Sequence, residues 1–322
     1  MTAASGPVLV TGAGGFIGNH VVRHLSRDPA LAVVASTRDG RDGSRRMDLR
    51  DPAAVRAALA GVSAVVHCAV GDQAVTVDGT RTLLRAAAAA GVRRVVHFSS
   101  MSVYDGDTGV VKEDAPLVSP DGRGYAAWKA AAEQACLAER GVETVRLRPT
   151  IVYGPGSRQW VSWFAQRIRS GRWATFGAAG EGTCNLVHVA DVASAVAAAL
   201  TSPAAAGDAF NVNGPEVTTW NGWFTRLAEA IGSPPLPAIS PAAARARMVA
   251  ALPMKALGRL RPGLGGNWLL GAPGRGELSL FGLKATYPTY AAQTALGWTP
   301  NVRIAEGLVD TVAWLRQEGL GT

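Results

Sequence analysis

From residue 8 onward, short runs of β-branched apolar residues alternate with longer stretches rich in alanine and leucine. The runs at 8–11, 31–37, 63–69, 94–99 and 143–148 have the length and residue types of buried strands. The stretches at 15–26, 52–60, 76–90 and 125–140 read as helices, and Gly91 stands where the third of them should stop. Strand and helix in strict alternation make successive βαβ units with right-handed crossovers. The expected fold is therefore α/β, a doubly wound parallel sheet with helices on both faces.

After Pro149 the rhythm breaks. Gly154, Pro155, Gly156 and Gly171 punctuate the chain and tryptophans become frequent, which places a domain boundary near residue 155. The expectation is a larger unit over 1–155 and a smaller C-terminal unit over 156–322, with the chain returning to the sheet within 185–214, where 210–213 reads as one more strand. At 322 residues, 48% hydrophobic and 17% charged, the chain can bury a sizeable core and is neither disordered nor fibrous. Cys68, Cys136 and Cys184 are odd in number and far apart, so neither a disulfide framework nor a zinc spacing is visible. His20, His24, His67, His97 and His188 show no metal-ligand pattern either, so no metal is expected and a reducing cytoplasm is the expected compartment. No apolar run approaches the roughly 20 residues of a membrane span, and the first residues lack the basic flank and cleavage site of a signal peptide. The net charge of +8 is not laid out as a nucleic-acid surface, since the arginines are not interleaved with aromatics. It gathers at Arg38, Arg41, Arg45, Arg46 and Arg50 and in an acid-free stretch over 245–275 that holds Arg245, Arg247, Lys255, Arg259, Arg261 and Arg275. Both point to anionic ligands.

The segment Thr11-Gly12-Ala13-Gly14-Gly15-Phe16-Ile17-Gly18 follows a strand and opens a helix, the context in which a glycine pattern binds a dinucleotide. Gly12 permits the tight turn, Gly15 lets the backbone approach a pyrophosphate, and Gly18 lets helix pack on sheet, while free N–H groups and the helix dipole hold the anion. At the end of the second strand an NAD enzyme places an acidic residue on the ribose 2′-hydroxyl. Here that end reads Ala35-Ser36-Thr37-Arg38, and a guanidinium suits a 2′-phosphate, so NADP is favoured over NAD, with Asp39 the feature that weighs against it. Asp48 and Leu49 are candidate adenine contacts, although Asp48 equally fits the N-cap region of the helix at Pro52. Tyr125 and Lys129 stand four apart on one helix face, within reach of one ligand. A phenol that titrates near 10 needs a neighbouring ammonium, helped by an oxidised nicotinamide, to work as an acid/base at neutral pH. The ammonium can also hold the nicotinamide ribose. Ser99 and Ser100 end the strand over 94–99, at the edge of a parallel sheet where ligands bind, and a hydroxyl there can orient a carbonyl.

Taken together, Thr11 to Gly18, His67-Cys68-Ala69, Gly79-Thr80, Phe98 to Tyr104, Tyr125 to Lys129, Arg148 to Pro155 and His188 to Val192 make the chain resemble, nearly end to end, an extended short-chain dehydrogenase/reductase of the epimerase/dehydratase type. The resemblance implies a Rossmann sheet with a smaller substrate-binding domain, Ser100 as the catalytic serine four residues ahead of Tyr104, Tyr125 as acid/base and Lys129 as its partner. It also implies cofactor contacts from Phe16, Ile17, Ala69, Ser99, Pro149 and Ile151 beside those already named, Ser102 as a supporting residue, and a homodimer. Two positions depart from the family's pattern. Thr76 stands where an asparagine is common, and Cys184 stands where sugar-nucleotide members commonly carry an arginine for the pyrophosphate. The segment from Ala69 to Gly79 is short, which walls the site differently.

Trp160, Trp163, Phe164, Trp173 and Phe176 suit an apolar wall over the nicotinamide for a bulky or planar substrate, or the core of the smaller unit, and their helical spacing favours the core. The 245–275 stretch reads as a solvated helix and loop, a lid over an anionic substrate, or a membrane-surface segment, the first being the simplest. The function expected is NADP(H)-dependent hydride transfer that reduces the ketone of a small, anionic or aromatic molecule. The alternatives are a nucleotide-sugar epimerase or dehydratase, in which the cofactor is reduced only transiently, and a noncatalytic NADP-binding sensor.

Overall fold

The computed structural model describes residues 6–106, 108–253 and 270–320. Its first half runs β1 (Val8–Thr11), α1 (Phe16–Leu25), β2 (Val33–Thr37), β3 (Arg45–Arg46), α2 (Pro52–Ala58), β4 (Ala64–His67), α3 (Gly79–Ala89), β5 (Arg94–Phe98), β6 (Gly109–Val110), α4 (Tyr125–Ala138) and β7 (Glu143–Pro149). There follow β8 (Ile151–Tyr153), α5 (Trp163–Arg169), β9 (Leu186–His188), α6 (Val189–Thr201), β10 (Ala209–Val212) and α7 (Trp220–Ala230). Seven strands form one sheet in the order β10-β7-β5-β4-β1-β2-β3, and every pairing in it is parallel. This is the doubly wound, Rossmann-like sheet expected.

The central strands β1, β4 and β5 are legible because both faces are covered, so they read as short, largely apolar runs. Val8 lies opposite Val33 on β2 and Ala64 on β4, and Val95 on β5 lies opposite Val65 and Thr144. On one face Val10, Val66 and Val96 pack with Val21 and Leu25 of α1 and with the alanine-rich α6. On the other, Leu9, Val65 and Val95 pack with Val55 of α2, Leu83 and Leu84 of α3 and Cys136 of α4. Each such side chain, fully buried, contributes about 1.5–3 kcal/mol. The α2 helix starts where Asp51 accepts from the Ala53 and Ala54 N–H groups, with Pro52 in the first turn. Asp48, the N-cap candidate, instead accepts from the Arg50 N–H at 3.0 Å.

Chain return comes through β10, whose Phe210 pairs with Leu147 of β7. A second cluster of buried residues is drawn from 151 onward. Its centre is aromatic: Phe164, Trp173, Phe176, Trp220, Phe224 and Phe281 interlock edge to face and tilted, and Trp223 meets Tyr153 edge on. Two short pairings, β8 with β9 and β6 with Ala285–Thr286, form separate two-stranded sheets. The helix expected over 76–90 begins as a π-helical turn at Ala74–Asp78 before α3 proper. No helix among the described residues is long and apolar enough to cross a membrane.

Candidate active site

The order of strands reverses between β1 and β4, and a crevice of about 1220 Å³ opens there at the strands' carboxyl ends. Its floor begins with the glycine turn. Gly12 has φ of 64°, and a Cβ there would lie 2.9 Å from the Ala69 backbone, so the turn rests directly on the end of β4. A side chain on Gly18 would overlap the Gly12 carbonyl, which is why the first turn of α1 can press on the loop. No side chain caps α1 at Gly15 and no acid stands in its first turn, so its N–H groups are free to receive an anion. A dinucleotide's pyrophosphate fits this cradle, and Gly15, Phe16 and Ile17 line the crevice beside it.

Beneath the turn lies a buried hydrogen-bond chain. Thr11 Oγ1 is 2.8 Å from His67 Nδ1 and accepts from the Ala69 N–H at 3.1 Å. His67 Nε2 is 3.0 Å from Thr80 Oγ1, whose hydroxyl donates to the Thr76 carbonyl at 2.7 Å. Since Thr80 spends its proton on Thr76, the network assigns the His67 proton to Nε2, leaving Nδ1 to accept from Thr11. Burial holds His67 at about 3, so it stays neutral. Thr76, which replaces the asparagine common in the family, bonds both the N–H and the carbonyl of Gly71 at 3.2 Å. A contact that stabilises the backbone of the short 69–79 segment is thus present.

Ser99, Ser100, Tyr125 and Lys129 all line the same crevice, with Pro149 and Ile151 along its far edge. Ser100 Oγ accepts from the Ser102 N–H at 3.2 Å and lines the crevice together with Tyr125. Lys129 is 3% exposed; its Nζ donates to the Phe98 carbonyl at 2.6 Å and lies 5.9 Å from the centre of the Tyr125 ring. Burial draws Lys129 down to about 8, opposed by Cys68, Cys136 and Glu133. Tyr125, whose side chain is half exposed, is pushed up by burial, with the Ser100 hydroxyl opposing. Burial thus sets the direction for the phenol, and Lys129 Nζ makes its hydrogen bond to the Phe98 carbonyl.

At the adenine end, Arg38 is exposed and pairs with none of the described residues. Asp39 is turned away to Arg41, at 2.8 Å, which holds its carboxyl down at about 2. Leu49 is buried under Gly79, so its side chain belongs to the core. Gly12, Gly18 and Ala69 shape the turn from below.

Several wall residues escaped the sequence reading. His20, whose Nε2 bonds the Pro155 carbonyl at 2.8 Å, and Arg23 line the crevice from α1, and their spacing from Phe16 places them on one helix face. Leu280, Trp314 and Glu318 reach it from the other end of the chain, where no local pattern marks them. Among the aromatics, Trp160 lines the crevice, Trp163 is largely exposed, and Phe164, Trp173 and Phe176 are core, as their spacing favoured. Cys184 is fully buried in that same aromatic cluster. Of the basic stretch, Lys255, Arg259 and Arg261 lie outside the described residues; Arg247 donates to the Arg172 carbonyl at 3.2 Å and Arg275 opens the helix Arg275–Phe281.

A model of the NAD dependent epimerase/dehydratase family matches residues 8–213. The 2-alkyl-3-oxoalkanoate reductase of Stenotrophomonas maltophilia is 32% identical over 70% of this chain and 76% of its own. A UDP-glucose 4-epimerase of Mycolicibacterium smegmatis is 30% identical over 96% of this chain and 98% of its own. The solved structure of MoeE5 in complex with UDP-glucuronic acid and NAD superimposes with a TM-score of 0.73 at 27% identity, covering 97% of this chain and 100% of that one.

Proposed function

Since the chain belongs to the NAD dependent epimerase/dehydratase family, and is an NAD(P)-dependent enzyme with reductases and epimerases among its relatives, we propose that it is an NADP(H)-dependent reductase of a ketone carried on an apolar skeleton. The observation that carries the reading is that Met101, Trp160, Leu280 and Trp314 line the same crevice as Ser100 and Tyr125. Cys184 supports it: where sugar-nucleotide members carry a pyrophosphate arginine, this chain has a thiol sealed in aromatic core.

The glycine turn would hold the dinucleotide's pyrophosphate, Pro149 and Ile151 its nicotinamide end, and Arg38 a 2′-phosphate. When bound, that cofactor supplies the hydride. Ser102 N–H occupies one lone pair of Ser100 Oγ, which leaves the Ser100 proton for the substrate oxygen. Tyr125 then gives its proton to that oxygen as charge develops on it, and the Lys129 ammonium offsets the phenolate left behind. A 2-alkyl-3-oxoalkanoate, the substrate class of one relative, is the first compound to try. The protein should consume NADPH in preference to NADH with it, and Tyr125→Phe should abolish turnover while leaving cofactor affinity nearly unchanged. Normal turnover by Tyr125→Phe would falsify the reading.

A second reading, epimerisation of a nucleotide sugar, draws on the end-to-end likeness to a UDP-glucose 4-epimerase. Conversion of nucleotide sugars without net consumption of NADPH would establish it in place of the first.

A further inference from the structure

Tyr125, Lys129 and Glu133 occupy successive turns on one face of α4, at steps of four residues. The first two reach the crevice; the third goes the other way, into the protein. Glu133 is 1% exposed, and both its oxygens lie in the fork of Arg148 on β7, at 2.8 Å from Nε and 2.6 Å from Nη2. Arg148 is fixed in turn: its Nη1 donates to the Tyr104 hydroxyl at 3.0 Å and to the Glu113 carbonyl at 2.8 Å, while Tyr104 donates to Asn211 Oδ1 of β10 at 2.6 Å. A planar two-bond fork resists rotation of its partner in a way that a point charge does not. The helix that carries the proton-transfer pair is rich in alanine and has no side-chain N-cap.

We infer that Glu133 is a positioning residue of the site: its carboxylate, locked in the Arg148 fork one turn below Lys129, sets the rotation of α4 and so where Lys129 and Tyr125 stand over the crevice. The inference rests on the reading of those two residues as the proton-transfer pair. Charge adds to geometry. Among the described residues of this region Glu133 is the one fully buried carboxylate, set among the buried cations Lys129, Arg146 and Arg148. Around it stand Cys136 on α4, Arg146 with its Nε 3.7 Å away, His97 on β5, Tyr104 and Glu113 before α4, and Asp208 before β10. Its negative charge, one turn from Lys129, favours the ammonium that burial disfavours.

The chain has four lysines, which makes a direct test practicable without a substrate. In full-length protein labelled with 15N-lysine and saturated with NADP+, the titration midpoint of Lys129 Nζ is read by NMR for wild type and Glu133→Gln. The expected result is a lower midpoint for Lys129 alone, with the other three lysines unmoved. An unmoved Lys129 overturns the inference. Because loss of the charge alone lowers that midpoint, position is read separately in Glu133→Asp, which keeps the charge and draws it back by one methylene, out of the fork. Its kcat for NADPH oxidation with a 2-alkyl-3-oxoalkanoate should fall about 10- to 100-fold with NADPH affinity unchanged, and wild-type kcat overturns the inference. Tyr125→Phe run in parallel separates the two ideas. If it turns over normally, the proton-transfer assignment itself has failed, whatever Glu133 does.

Discussion

Lys129 illustrates how a functional group can be held against the interests of the fold. A buried ammonium that releases its proton at about 8 in the folded chain, against 10.5 when unfolded, costs stability wherever the unfolded chain binds that proton more tightly. The cost, about 3 kcal/mol, is full below pH 8 and fades as pH rises from 8 toward 10.5. Lys129→Met fills the same space without a charge. It should raise the unfolding free energy at neutral pH, read from urea denaturation, by up to that amount, the gain shrinking above pH 8, while turnover disappears; an unaltered free energy at neutral pH counts against it. Arg38 is a residue of the opposite kind, exposed and free to meet a ligand. Arg38→Ala should weaken NADPH binding about tenfold, as expected for loss of one charge-assisted contact, and leave NADH binding as it was. Calorimetric titration with both nucleotides decides this, and equal losses for the two would remove Arg38 from cofactor choice.

Between elements, the hydrogen-bond chain Thr11-His67-Thr80 links β1, β4 and α3 directly under the phosphate-binding turn. Thr11→Val keeps the shape of the side chain but strands the His67 Nδ1 and the Ala69 N–H in a buried site, at about 1–3 kcal/mol for each unpaired group. Thermal denaturation should show that loss, and cofactor affinity should drop with it because the turn rests on Ala69. Retained affinity would mean that the turn holds its shape without the chain. Elements of this sheet were legible in the sequence wherever one local pattern sufficed. The runs at 8–11 and 94–99 became β1 and β5 almost residue for residue, and 210–213 became β10. Strands β8, β9 and β6 are two or three residues long and exist through their partners, so periodicity could not reveal them. The π-helical turn before α3 has no sequence period of its own. The candidate site divides the same way: Ser100, Tyr125 and Lys129 announce themselves by spacing and motif, whereas Trp314 and Leu280 reach the crevice only through tertiary packing.

On the scale of the whole molecule, the residues matched by the family model carry the parallel sheet, and the chain from 151 onward supplies a core whose centre is filled with rings. That filling bears on what can bind. Cys184→Arg would return the residue common in sugar-nucleotide members, but it would drive a guanidinium into the cluster of Trp173, Trp220 and Phe281. The expected outcome is a loss of more than about 3 kcal/mol, the usual consequence of an unpaired buried charge, with no gain in nucleotide-sugar binding. Thermal denaturation and a binding assay with UDP-glucose test both halves of the statement. A stable variant that binds the sugar nucleotide would show the region to be more yielding than its packing suggests.

Trp160 and Trp314 have one more consequence. Two indoles drawn from distant parts of the sequence face the same crevice, and a reduced nicotinamide absorbs at the wavelengths at which indoles emit. Occupancy of the pocket should therefore be readable as quenched ultraviolet fluorescence in the unlabelled protein, and Trp160→Phe beside Trp314→Phe would tell which of the two emitters reports it.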